Sequence, residues 1–366
     1  MNSLIRVGYT GNFRPLMQMA AARVVASGQY ILGSEVEAFE EAWARSCGTD
    51  HAVGTANGLD AIEVSLRAVG IGPGDEVITT GMTAFATILG VIRAGATPVI
   101  ADIDAGSALM SMDSAERCLT SRTRAILLVH LYGQMRDMDS WRDFSTRHGL
   151  LLLEDCAQAH LAQWEGRPAG SIGVAGAYSF YPTKNLGAMG DAGALVTSDS
   201  ELADVARSLR DYGQVGKYQH DLEGLNSRLD EIQAAFLSER LLTLQGETDR
   251  RRAIGFRYIK EISNPLVSTL DPPQTPSAHV FHLFVIRCEK REEIRRHFAS
   301  YGIETLLHYP IPGHKQRALE QFGADPLGLR NTSKHAETCL SIPCHPGLSD
   351  AEVDRVIECL AVFRGD

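Results

Sequence analysis

Lys184 follows Ser179, Phe180, Tyr181, Pro182 and Thr183 and precedes Asn185, Leu186 and Gly187, so a stretch of small and aromatic residues (176–180) runs into a polar turn carrying one primary amine. Such an amine captures a carbonyl only after losing its proton, which near neutral pH requires burial or a cationic neighbour. Asp155 ends the apolar run 150–153, with Gln158 and His160 just beyond. A carboxylate at that position can keep a proton on a ring nitrogen, or it can cap a following helix. Asn57, Gly58, Leu59 and Asp60 open a stretch in which Leu59, Ile62, Leu66 and Val69 recur at helical spacing. The free amides at such a helix start attract phosphate, and Gly58 lets an anion come close.

An imine-forming amine, a carboxylate for a ring nitrogen and an amide-lined anion site are what pyridoxal 5'-phosphate needs, and that cofactor is the expectation. Gln158 can hydrogen-bond its ring hydroxyl, and Ser179, five positions before Lys184, can reach its phosphate. Phe85 can stack on the ring or belong to the core, and His160 can be a structural imidazole. Asn226, Ser227, Arg228, Leu229 and Asp230 form a polar loop that either caps the next helix or serves the site. No metal is expected: His335, Cys339, Cys344 and His345 lie close in sequence, but their spacing matches no zinc pattern.

The elements that must position these groups follow from pattern. Short apolar segments at 51–55, 76–79, 98–102, 125–130, 150–155, 177–180 and 194–197 alternate with longer amphipathic stretches, which predicts an α/β sheet that is largely parallel. Segments 125–129 and 150–153 are apolar without alternation, as central strands covered on both faces would be. A long leucine-rich, charged helix over 231–258 is followed by Pro272, Pro273 and Pro276, then by a strand at 280–287 and helices at 291–301 and 351–363. The division expected is a large domain over 1–245 and a smaller C-terminal α+β domain over 246–366.

The 366 residues, 44% hydrophobic, are enough for one large domain and a smaller one, and a formal net charge of -10 argues against nucleic acid or an anionic membrane as main partner. Residues 1–10 lack a basic stretch followed by an apolar run, and no apolar stretch is long enough to cross a bilayer. Seven scattered cysteines, an odd number, suit free thiols in a reducing, cytoplasmic setting.

Taken together, these segments resemble the DegT/DnrJ/EryC1/StrS sugar aminotransferases of fold-type I. The resemblance runs from Gly28, Gln29 and Tyr30 to Leu340, Ser341, Ile342 and Pro343. It is most specific at Val129 His130 Leu131 Tyr132 Gly133 Gln134, at Glu154 Asp155 Cys156 Ala157 Gln158 Ala159 His160, at 179–187 and at 226–230. It implies that Lys184 binds the cofactor and shuttles protons, Asp155 pairs with the ring nitrogen, and Gln158 contacts the ring hydroxyl. Gly58, Leu59 and Ser179 would hold the phosphate, with Asn226 supplied by a second copy, which implies a homodimer with shared active sites. Leu59 departs from the family's usual threonine, leaving only its backbone amide to serve. Cys156 replaces the usual alanine, and strand alternation should turn it away from the face that Asp155 uses. Enzymes of this kind that remove a sugar hydroxyl carry histidine where Lys184 stands. The segments 56–61 and 308–312 look most like those of enzymes acting on the 3-keto group of nucleotide-linked 6-deoxyhexoses with L-glutamate as donor. A 4-keto or UDP-linked 3-keto sugar, and a non-catalytic cofactor-binding sensor, are the alternatives. Tyr181, Arg228, His308 and Tyr309 are the candidates for substrate binding.

Overall fold

The structure is a computed structural model and describes residues 4–8, 11 and 13–365. Its centre is a seven-stranded sheet built from β1 (His51–Thr55), β2 (Glu76–Thr80), β3 (Thr97–Ala101), β4 (Thr123–Val129), β5 (Leu151–Asp155), β6 (Ala175–Ser179) and β7 (Gly193–Thr197). The spatial order is β1-β7-β6-β5-β4-β2-β3, parallel from β6 through β3, with β7 antiparallel to both β6 and β1. All seven strands expected from sequence are present, shifted by two residues at most. The helices are α1 (Arg14–Ser27), α2 (Ser34–Cys47), α3 (Gly58–Ala68), α4 (Phe85–Arg93), α5 (Met112–Arg117), α6 (Met138–His148), α7 (Ser200–Arg210), α8 (Glu231–Glu261), α9 (Arg291–Ser300), α10 (Arg330–Thr338) and α11 (Asp350–Val362).

Both faces of the sheet are covered, which is why its central strands carry no polar alternation. Leu127 and Leu153 pack with Ile62 and Leu66 of α3 and Leu202 and Leu209 of α7. The intervening Ile126, Leu128 and Leu152 pack on the other side with Phe39 and Trp43 of α2, Phe144 of α6 and Leu237 of α8. Cys156 lies in that second core, away from the face that Asp155 uses, as alternation requires.

A three-stranded antiparallel sheet, β8 (Ser268–Thr269), β9 (Phe284–Arg287) and β10 (Cys339–Ile342), forms the C-terminal layer. It encloses its own core with α9 and α11, including Ile286, Phe298, Leu340 and Val353, and Ile5 from the other end of the chain joins it. Helix α8 serves both cores, through Ala234 and Leu237 near its start and Ile254 and Tyr258 near its end. The strand expected over 280–287 begins only at Phe284. Before it, Val280 donates to the carbonyl of Gly133, and Phe281 takes a positive φ of 45° with its ring stacked on His279, so these residues serve a loop junction rather than a ladder.

Candidate active site

Asp155, Ser179 and Lys184 all lie at or just beyond the carboxyl ends of parallel strands, where ligands sit in open α/β sheets. Asp155 pairs in register with Ala177, and Ser179, two residues on, pairs with Gly193, which also faces Thr55. A Cβ at Gly193 would stand 2.4 Å from the Asn57 carbonyl, and one at Gly58 would stand 2.5 Å from the Ser179 Cβ. The start of α3 is therefore pressed onto the ends of β6 and β7, with the Ser179 hydroxyl beside it. Asn57 caps α3 by accepting from the Asp60 amide at 2.8 Å, and the amides of Gly58 and Leu59 have no hydrogen-bond partner among the described residues. Two free amides and a hydroxyl at a helix N-terminus make an anion cradle.

The loop carrying Lys184 is closed by the Ala188 amide donating to the Phe180 carbonyl at 2.7 Å, and a Cβ at Gly187 would strike the Pro182 carbonyl at 2.5 Å. From α8, the buried guanidinium of Arg240 donates to the carbonyls of Gly187 and Asn185, while Gln233 accepts from the Met189 amide. The loop is thus fixed from behind. Lys184 itself is half-buried, and its amine forms no ion pair among the described residues. Burial lowers its ammonium from 10.5 to about 8, with the charge of Asp155 pulling the other way. The three imidazoles around it are neutral near pH 7: burial, helped by the charge of Lys184, holds His308 at about 4, His160 at about 3 and His282 well below its usual value. His160 is enclosed by Trp43, Tyr178 and Phe180, so its role is structural packing under the site.

Asp155 is buried, and both carboxylate oxygens are engaged. One accepts from the Thr87 hydroxyl at 2.7 Å and the other from the Ala157 amide at 3.0 Å. Thr87 is in turn paired with Thr83 at 2.7 Å. The adjacent Glu154 points to the opposite face, where it accepts from His130 and from the amides of Gly170, Ile172 and Gly173. Burial pushes the Glu154 carboxyl up, and these donors more than offset it. His130, Glu154 and Cys156 bring ligand-type atoms within 4.8 Å of one another, but Glu154 is already engaged by four donors. The residues His335, Cys339, Cys344 and His345 form no metal-type cluster among the described residues: His335 meets Tyr132, Cys339 the His308 carbonyl, Cys344 the Arg251 carbonyl and His345 the Arg6 carbonyl.

Gln158 accepts from the Tyr132 amide at 2.6 Å, which turns its own amide group toward the Tyr309 hydroxyl at 3.3 Å. Phe85, at the first turn of α4, is partly exposed and lines a cavity of about 180 Å³ with Thr83, Tyr309, Pro310 and Ile311. His308 bonds Ser341 through Nδ1 at 2.8 Å. Tyr181 is exposed beside Ser179. Arg228 is engaged within its own chain, by Asp211 at 3.0 Å and by the ring of Tyr212. Asn226 is exposed, while its neighbour Ser227 is buried, donating to Asp60 and accepting from the Ala56 amide at the start of α3. The structure therefore brings Gly58, Leu59, Ser179, Lys184, Asp155, Gln158, Phe85, His308 and Tyr309 to one end of the sheet. Asn226 and Arg228 lie on the loop that Ser227 ties to the start of α3.

The family model described as the DegT/DnrJ/EryC1/StrS aminotransferase family matches residues 14–361. The chain belongs to that family. The aminotransferase is 44% identical over 339 residues to the dTDP-3-amino-3,4,6-trideoxy-alpha-D-glucose transaminase of Streptomyces venezuelae, covering 93% of this chain and 89% of that protein. It is 45% identical over 342 residues to the dTDP-3-amino-3,6-dideoxy-alpha-D-galactopyranose transaminase of Aneurinibacillus thermoaerophilus, covering 93% of each. Its fold matches the crystal structure of S. venezuelae DesV in complex with a ketimine intermediate with a TM-score of 0.91, at 43% identity and over 95% of this chain and 94% of that one. The architecture, a largely parallel seven-stranded sheet covered on both faces, is that of a fold-type I transferase, as the structural match to this family shows. The aminotransferase's donor set also fits pyridoxal phosphate. A burial-lowered amine, a doubly hydrogen-bonded carboxylate, an oriented amide and a helix-start anion cradle share one sheet end, with an aromatic face exposed nearby.

Thr83, Thr87 and Arg240 also hold the site without a local sequence signature of that role, whereas Ser227 and Tyr132 fall within the segments noted above. Thr87 lies in the first turn of α4 and reaches Asp155 across 68 positions, a contact that no local spacing marks.

Proposed function

We propose that this chain is a pyridoxal 5'-phosphate-dependent transaminase that moves an amino group from L-glutamate to a nucleotide-linked keto sugar, of the dTDP-3-keto-6-deoxyhexose kind. The observation that carries this reading is Lys184: a primary amine brought to about 8 by burial, at the same sheet end as Asp155, in a chain of an aminotransferase family. When bound, the cofactor supplies an aldehyde for amines and a protonated ring that accepts the electron pair left when a carbon–hydrogen bond breaks.

The protein's own groups do the rest. Lys184 holds the cofactor between turnovers, then serves as the base that takes the proton from the donor's α-carbon and returns one in the sugar half. Asp155, held in orientation by Thr87 and Ala157, keeps the ring nitrogen protonated. Gln158 donates to the ring hydroxyl with its amide, its carbonyl end already fixed by Tyr132. Gly58, Leu59 and Ser179 anchor the phosphate end, so the ring cannot drift when Lys184 lets go. Phe85 covers one ring face. His308, Tyr309 and Tyr181 line the approach for the sugar and its diphosphate.

The direct test offers the enzyme glutamate and a panel of nucleotide-linked sugars, dTDP- and UDP-linked, 3-keto and 4-keto, and identifies the aminated product by mass and NMR. Amination of a dTDP-linked 3-keto sugar is the expected result. Amination restricted to UDP-linked or 4-keto substrates would shift the assignment within the family, and no amination of any would remove it.

Two further outcomes are expected. Capture of added cofactor by the apo enzyme should speed up with pH and level off above about 8, because only the neutral form of Lys184 attacks, roughly one tenth of it at pH 7. Absorbance on rapid mixing measures this; a profile still rising toward the ordinary lysine value would contradict the burial argument. We further propose that the active enzyme is a homodimer in which Asn226 of each copy reaches the other's phosphate site. The exposure of Asn226 supports this, as do exposed Tyr30 and Ile31, the latter bridged to Asp230 at the end of the same loop. Asn226→Ala mixed with Lys184→Ala under subunit exchange should then recover about a quarter of wild-type activity, since a random mixture is half hybrids and each hybrid has one intact site of two. Mixing that recovers nothing, with exchange verified, contradicts shared sites.

A further inference from the structure

Tyr132 is almost wholly buried, and each of its polar groups is engaged. Its amide donates to the Gln158 side-chain oxygen at 2.6 Å, its carbonyl accepts from the Leu283 amide, and its hydroxyl meets the His308 carbonyl and, at 2.9 Å, Nε2 of His335. The backbone is held for this purpose. Tyr132 has a φ of 63°, and Gly133 follows at 91°, where a Cβ would meet the backbone carbonyl of Gln158 at 2.7 Å.

The protons can be assigned. Burial pushes the Tyr132 phenol well above its usual value, so it keeps its hydrogen. The His308 carbonyl can only accept, so that hydrogen goes there, and His335 must donate from Nε2 to the phenol oxygen. His335 is neutral near pH 7, lowered to about 4 by burial and by the charge of Arg287, and Nδ1 is the nitrogen left without a partner. His335 is in turn held in place because Asp102 accepts from Asn331 and Thr332 at the start of α10.

We propose that Tyr132 is a positioning residue with two separable tasks: its backbone amide aims Gln158 at the cofactor ring, and its phenol holds the His308–Tyr309 segment in place for the sugar. The assignment rests on the transaminase reading given above. Because the two tasks use different atoms, one substitution separates them. Tyr132→Phe removes the hydroxyl and leaves the amide, so the ring end stays set while the substrate segment loosens.

The test takes holoenzyme and measures the two half-reactions apart. For Tyr132→Phe, KM for the keto sugar should rise about tenfold, equivalent to roughly 1.4 kcal/mol and the size expected of one lost buried hydrogen bond. The glutamate-driven change in cofactor absorbance, and kcat at saturating sugar, should stay within about twofold of wild type on that scale. His335→Ala should raise the same KM by a smaller factor, and combining it with Tyr132→Phe should add little, since both act through one hydroxyl. If the phenylalanine variant does not fold, His335→Ala alone must show the selective rise in KM. Loss of both half-reactions together, or an unchanged KM for sugar, overturns the proposal. A wild-type enzyme that does not respond to glutamate overturns the transaminase reading itself, and is measured first so that the two failures are told apart.

Discussion

Lys184→Ala is expected to lower turnover by on the order of 10⁴-fold or more, because one nitrogen serves as both cofactor anchor and proton carrier. Lys184→Arg should fare no better, since a guanidinium neither forms the bond nor gives up a proton near neutral pH. Phosphate-end anchoring by Gly58, Leu59 and Ser179 does not depend on the amine, so both variants should still bind the cofactor, read as retained absorbance after gel filtration. Near-normal rates in either variant would refute the assignment of Lys184. Stability should move in the opposite direction from activity. The apo fold disfavours the charged form of Lys184, which sits at about 8 against an ordinary 10.5. That penalty is fully present below about pH 8 and is relieved as pH rises toward 10.5. Lys184→Met should therefore melt at or above wild type in the apo state at pH 7, with the advantage shrinking at higher pH. A variant less stable at pH 7 would show that the amine is better solvated than its surroundings indicate.

Asp155→Ala should cost about 10² to 10³ in kcat, the range for removing one oriented electrostatic group at a reacting centre. Asp155→Asn, which keeps the shape and one acceptor, should be nearly as poor, because the charge that holds the ring proton is gone. Thr87→Val keeps Asp155 but removes a hydrogen bond to a carboxylate, a contact worth roughly 1.5–3 kcal/mol, and should lie between wild type and Asp155→Ala. Rates with saturating glutamate and sugar measure this series. Equal activity in Thr87→Val and wild type would mean that the Ala157 amide alone orients the carboxylate.

The strands were legible because burial on both faces writes itself into composition: 125–129 and 150–153 are apolar without a break, and their residues divide between the two cores. The Lys184 loop, Asp155 and the start of α3 were legible because each joins a recognisable element end to a residue type with specific chemistry. What supports them was not. Thr87 reaches Asp155 across 68 positions, Ser227 reaches Asp60 across 167, and the Tyr132 hydroxyl reaches His335 across 203. Contacts of that span leave no local periodicity. Val280 to Leu283 read as strand because they are apolar and aromatic, yet Val280 and Leu283 donate to Gly133 and Tyr132, just beyond β4, and Phe281 to the His279 ring. The histidine and cysteine residues near the C-terminus lie close in sequence but turn to different partners, which spacing alone does not reveal.

Where the cofactor aldehyde is bound decides whether Lys184 has this role as cofactor anchor. Reducing the holoenzyme with borohydride and mapping the labelled peptide by mass spectrometry should place a single pyridoxyl group on Lys184. A label on any other lysine, or a cofactor-loaded protein that acquires none, would contradict it.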